Sequence, residues 1–133
     1  METWRIYFLV GLGGGLGSVA RFWVSGFFAR WFGEAFPWGT IFINVTGSFV
    51  IGLCFTLTAA DGRFTWPETA RNVFMAGICG GYTTVSTFSL QTLCLIHERQ
   101  WLNAGLNVFG SVFACLVVVW LGHSLGLLFS RAR

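Results

Sequence analysis

The sequence is short of charge. Only 10% of its 133 residues are acidic or basic, against about 25% in soluble domains. Lysine is absent, and the net charge of +3 comes from eight arginines. These are spread over termini, loops and one apolar stretch, a distribution that excludes a nucleic-acid patch. The carboxylates, Glu2, Glu34, Asp61, Glu68 and Glu98, all fall at termini, in loops or at the edges of apolar stretches. A proton-coupled exporter of cations or drugs needs an intramembrane carboxylate to exchange protons for cargo, and none is there. Cys54, Cys79, Cys94 and Cys115 form no CxxC pair and have no histidine cluster beside them. They read as small apolar side chains rather than as disulfide or metal ligands.

What remains is apolar. Hydrophobic residues make up 55% of the chain and the mean hydropathy is +0.71. Four stretches with few or no charges cover residues 6–29, 39–60, 72–96 and 102–130. Each exceeds the roughly 20 residues that cross a bilayer core as a helix. The expectation is an all-α membrane protein, one domain over residues 1–133, with no room for a soluble or catalytic lobe. An inner membrane is its natural place. Trp4, Trp31, Trp38, Trp66 and Trp101 stand at or near the ends of these stretches, at headgroup depth. The first stretch is too long for a signal peptide and contains Arg21.

Gly11/Gly15 and Gly13/Gly17 make two small-xxx-small steps on helix 1, and Gly122/Gly126 makes one on helix 4. Such steps let helix backbones approach closely. Short connections make successive helices near-antiparallel neighbours. One end carries Arg5, Arg63, Arg71, Arg131 and Arg133, the other Arg30 and Arg99. This is a moderate bias toward cytoplasmic termini, compatible with insertion in both directions. Four tightly packed helices enclose little space, so a dimer is the simplest way to surround a path. Two oppositely inserted copies would supply the inverted symmetry that the sequence, lacking an internal repeat, does not.

The third stretch departs from a lipid-facing helix. Gly77, Gly80 and Gly81 are followed by Thr83, Thr84, Ser86, Thr87 and Ser89. Glycine costs about 1 kcal/mol relative to alanine within a helix. Freed backbone groups inside a bilayer are tolerated only beside protein or a water-filled path. A helix broken at the midplane is therefore where ions or substrates are handled. Helix 2 places Thr40, Asn44 and Ser48 at intervals of four, and helix 4 does the same with Asn107, Ser111 and Cys115. Amide and hydroxyl donors in rows can solvate a small anion stepwise, and the same rows can serve interhelical hydrogen bonding. Arg21 suits an anion, or a bond to backbone carbonyls. His97, at the edge of a stretch, and His123, deep within one, read as structural.

Helix 1 with its glycines and Arg21, the start of helix 2 from Trp38-Gly-Thr to Asn44, and Gly80-Gly-Tyr-Thr-Thr-Val-Ser-Thr-Phe-Ser89 together resemble the CrcB/Fluc fluoride channels. The resemblance covers essentially the whole chain. It implies an antiparallel, dual-topology homodimer in the lipid bilayer, with two separate fluoride pores. It also implies a structural sodium ion at the dimer centre, held by the backbone carbonyls of Gly80 and Thr83. Asn44 and Arg21 take the positions of a pore asparagine and a vestibule arginine. The path would further draw on Thr40, Ser86, Thr87, Phe88, Asn107 and Ser111. Two positions depart from the pattern. Val85 stands at the first of two ring positions, leaving Phe88 alone to present a polarised edge, and the helix 4 track has Asn107 and Cys115 where the family carries tyrosine and serine. A small four-helix multidrug-type exporter and a purely structural membrane subunit are the alternatives. The first lacks its carboxylate, and the second leaves the hydroxyl cluster unexplained.

Overall fold

The computed structural model describes residues 2–131; Arg133, counted in the arginine balance, lies outside them. Helix α1 (Glu2–Phe32) is longer than its apolar stretch and ends at Gly33. There the Gly33 N–H returns to the Ala29 carbonyl at 3.1 Å, with φ +73°, a left-handed exit that glycine takes without strain. Pro37 and Pro67 stand immediately before the next two helices, where a missing N–H costs nothing. Helix α2 (Trp38–Leu57) stops short of the expected 39–60. Thr58 turns both its N–H (3.0 Å) and its hydroxyl (2.7 Å) onto the Cys54 carbonyl, and the chain folds back so that Phe64 N–H reaches Leu57.

The third span runs Glu68–His97 in two pieces. Helix α3, residues 68–82, starts α-helical, widens into a π-helical stretch at Val73–Cys79, and closes with one turn at Gly80–Tyr82. Thr83 (ψ 159°) and Thr84 (φ −154°, ψ 118°) are extended, and α4 (Val85–His97) follows. Helix α5 (Trp101–Arg131) contains a second π-helical stretch at Leu106–Gly110. Four spans, Thr3–Phe32, Trp38–Leu57, Glu68–His97 and Trp101–Arg131, are long and apolar enough to cross a bilayer.

Glycine sets the helix spacing. A methyl group on Gly13 would lie 2.9 Å from the Val73 carbonyl, and one on Gly17 would lie 2.7 Å from the Tyr82 nitrogen. Across the same seam, a methyl on Gly81 would lie 2.8 Å from the Gly14 Cα. The backbones of α1 and α3 therefore touch. The other expected step, Gly11/Gly15, meets nothing within 4 Å, because residues two apart on a helix point to nearly opposite sides. Helices α2 and α5 meet the same way, Gly122 against Leu53 N (3.0 Å) and Gly126 against Thr56 Cβ (2.7 Å) for the added methyl. Between these two glycines His123 Nδ1 lies 2.6 Å from the Thr56 hydroxyl. Since that hydroxyl donates to the Gly52 carbonyl, His123 is the donor of the pair.

Candidate functional site

The site starts from a missing helical bond. In an unbroken helix the Thr84 N–H would donate to the Gly80 carbonyl. It donates instead to Asn44 Oδ1 at 2.8 Å, while Asn44 Nδ2 donates to the Thr84 carbonyl at 3.0 Å. One amide side chain on α2 thus satisfies both polar groups of an extended residue, as apolar surroundings require. The Thr84 hydroxyl caps α4, accepting from Thr87 N–H (3.2 Å) and donating to Thr87 Oγ1 (3.1 Å), with Ser86 Oγ 3.3 Å away. Arg21 closes the other side. Its guanidinium donates to the Thr83 carbonyl (3.3 Å) and to Ser18 Oγ (3.5 Å), and Ser18 in turn donates to the Gly81 carbonyl. A cation at the carbonyl end of α3 is favoured by the helix dipole.

Two cavities flank Thr84, which lines both. The larger, about 480 Å³, has Asn44 and Ser48 on α2, Ser111 and Cys115 on α5, and Phe88 on α4. Gly80, Thr83 and Val85 complete its wall at the interruption. Val85 is 76% exposed, so the cavity opens past it to the outside of the single chain. The smaller, about 270 Å³, holds Arg21, Ser18 and Ser25 from α1, with Thr40 and Thr87. None of the residues lining either cavity is a carboxylate. Among the described residues no three His, Cys, Asp or Glu side chains converge on a metal position.

The residues singled out from sequence therefore fall into three groups. Asn44, Phe88, Ser111, Gly80 and Thr83 share the larger cavity, and Arg21, Thr40 and Thr87 the smaller. Ser86 and Asn107 line neither. The α2 row divides because four residues overshoot one helical turn by about 40°, so Thr40 and Ser48 point to different sides. Asn107 is fully buried; its Nδ2 donates to Thr92 Oγ1 (2.9 Å) and its Oδ1 accepts from Ser111 (3.2 Å). It ties α5 to α4 and aims Ser111. Sequence reasoning passed over Thr84, the wall common to both cavities, and Thr92. Thr84 carried a signal as a member of the hydroxyl cluster; Thr92 carried none.

Chemically, the larger cavity offers the second Asn44 Nδ2–H and the Ser48 hydroxyl as neutral donors beside an aromatic ring, with no charged side chain among the residues that line it. Such a lining can replace water around a small anion and has no group to exchange a proton with it.

A family model described as "CrcB-like protein, Camphor Resistance (CrcB)" matches residues 8–123, taking in both cavities. A fluoride-specific ion channel FluC of Opitutus terrae is 54% identical over 118 residues, 89% of this chain and 89% of the relative. The FluC of Paramagnetospirillum magneticum is 52% identical over 125 residues, 94% and 98% of the two chains. That of Rhodospirillum rubrum is 56% identical over 117 residues, 88% and 91%.

Proposed function

The chain belongs to the CrcB-like protein family, and from that premise we propose that it is a fluoride-selective channel, not an enzyme, that lets cytoplasmic fluoride leave passively. It is a multi-pass membrane protein, and the inner membrane is the compartment proposed for it. The observation that carries the reading is the larger cavity. Asn44, Ser48, Ser111 and Phe88 converge there without a carboxylate, in a chain about half identical to proteins named for fluoride.

Hydrogen fluoride enters from an acidic medium as the neutral acid and dissociates in the more neutral cytoplasm. An inside-negative potential then favours exit of the trapped anion by about 2.3 kcal/mol per 100 mV. Donors that substitute for water around a small anion select it over larger ones. Along the proposed path Arg21, Thr40 and Thr87 lie on one side of Thr84, and Phe88 and Ser111 on the other. Ser86 and Asn107 support the two walls, and Asn44 holds the interruption, at the bilayer midplane in this reading, open between them.

A single chain leaves the larger cavity open past Val85 and Gly80, and a second copy would close it. An antiparallel homodimer, with the protein inserted both ways, would enclose two such paths related by its two-fold axis. The sodium ion implied by the family fits the residues present. Thr84 N–H is diverted to Asn44, so the Gly80 carbonyl loses its helical partner, and Gly80 is exposed. Carbonyl oxygens are the donors a hard cation takes. Gly80 of each copy would hold it together with Thr83, whose carbonyl accepts from Arg21 and keeps a second lone pair, and it would supply charge to fasten the two interruptions together.

Purified protein in liposomes tests the function. Fluoride should run down its gradient far faster than chloride with no pH gradient imposed. Equal flux of the two anions, or an absolute need for a proton gradient, would overturn the reading.

A further inference from the structure

At the end of the bundle where α2 leads into α3, away from Thr84, lies a third cavity of about 420 Å³. Arg71 stands at its edge. Its Nε donates to Thr58 Oγ1 at 3.1 Å, and the guanidinium carbon sits 5.7 Å from the centre of the Phe55 ring. Thr58 is itself tied to the Cys54 carbonyl, so the guanidinium is held by one edge. Among the described residues its two terminal amino groups have no partner. Glu68, one turn earlier on α3, lines the same cavity and closes no ion pair with Arg71. A cation and an anion are therefore presented side by side to one space without neutralising each other.

Three features name the occupant. The cavity lies at the start of a membrane span with Trp66 on its rim, at the depth where indole meets headgroups. Its remaining wall includes Phe55, Met75 and Ala76, an apolar surface for an acyl chain. Glu68 disfavours a free anion at Arg71, whereas a zwitterion satisfies both charges at once. We propose that this cavity binds one phospholipid with a primary-amine headgroup, its phosphate on the terminal amino groups of Arg71 and its ammonium on Glu68. A guanidinium matches phosphate with two parallel bonds, and a primary ammonium can donate to a carboxylate where a quaternary one cannot.

Native mass spectrometry of the purified protein, equilibrated with phosphatidylethanolamine, phosphatidylcholine or phosphatidylglycerol, tests this. One phosphatidylethanolamine should be retained about tenfold better than either other lipid, as one charge-assisted bond predicts. Arg71→Ala should abolish retention, and Glu68→Gln should erase only the advantage of ethanolamine over choline. If Arg71→Ala fails to assemble, the Glu68→Gln ratio decides alone, since Glu68 is exposed and, among the described residues, its side chain is bonded to no other element. Equal retention by the native protein and both variants overturns the proposal. So does displacement of the lipid by millimolar inorganic phosphate, or a preference for phosphatidylglycerol.

Discussion

The two cavities beside Thr84 are built from adjoining helices, yet one carries a formal charge and the other does not. Arg21 occupies the smaller, while the larger presents an amide, hydroxyls and the Phe88 ring. That division suits the conduction proposed for this chain. Two unit charges about 4 Å apart attract by about 4 kcal/mol at an effective dielectric of about 20. Each 1.4 kcal/mol is about a tenfold change in rate, so an anion seated on a bare guanidinium would leave several hundred times more slowly. A conducting site must bind well enough to admit the ion and weakly enough to release it. Here the guanidinium is engaged with the Thr83 carbonyl and Ser18, and the peptide of Thr84 separates it from the neutral donors. In the proposed channel, charge would draw the anion toward the site and hydrogen bonds would pass it on.

The division fails most completely if its wall falls. Asn44→Ala leaves the Thr84 N–H and carbonyl without these partners, at a cost of about 1–3 kcal/mol each. Fluoride flux should drop by at least about tenfold while the protein still elutes as one assembled species in size-exclusion chromatography. Asn44→Asp sharpens the point: it keeps the acceptor for Thr84 N–H but sets a negative charge against the Thr84 carbonyl and in the cavity lining, so flux should fall at least as far as in Asn44→Ala. Unchanged flux in Asn44→Ala would show that the wall is not needed.

Removing the ring from the neutral side comes next. Phe88→Ile keeps apolar bulk and loses about 1 kcal/mol of aromatic contact, which should lower flux about fivefold with assembly intact. Flux equal to the native protein's would leave the amide and hydroxyls as the only ligands. On the charged side, Arg21→Lys keeps the charge but not the fork that reaches a carbonyl and a hydroxyl together. Its effect should be about threefold, the size of one membrane hydrogen bond, and an effect as large as that of Asn44→Ala would erase the distinction between the two cavities. Val85→Phe should change least. Val85 is 76% exposed within the chain, so a ring has space there and flux should hold within about twofold. Loss of assembly, at about 1–3 kcal/mol of overpacking, would instead place a close neighbouring copy against Val85.

Much of this was legible in the residues. The four spans followed from hydropathy, and the departure from helix at Thr83 and Thr84 falls where glycine gives way to hydroxyls. Asn44, Ser111 and Phe88 were singled out by spacing and family pattern, and they share one cavity. Other features were not legible, for definite reasons. That Thr40 and Ser48 part company depends on helical drift, and which side each meets depends on the neighbours of α2. That Asn44 spends its amide on Thr84, forty residues away in sequence, needs the two helices in place. Asn107 resembles a member of an exposed polar row until Thr92 is seen to close over it. Of the glycine steps on α1, Gly11/Gly15 and Gly13/Gly17 are alike in sequence, and only α3 distinguishes them.

The wide turn at Val73–Cys79 has a consequence for the phase of everything after it. A π turn closes on one residue more than an α turn, so the stretch holds a surplus residue that an α-helix of the same height would not. Each residue advances the helical face by about 100°. Were the stretch regular, the tail of α3 would emerge rotated by about that angle. Thr84 would no longer face Asn44, and Gly81 would no longer lie against Gly14. The surplus residue works as a dial, upstream of the site and outside it, that sets which way the interruption points.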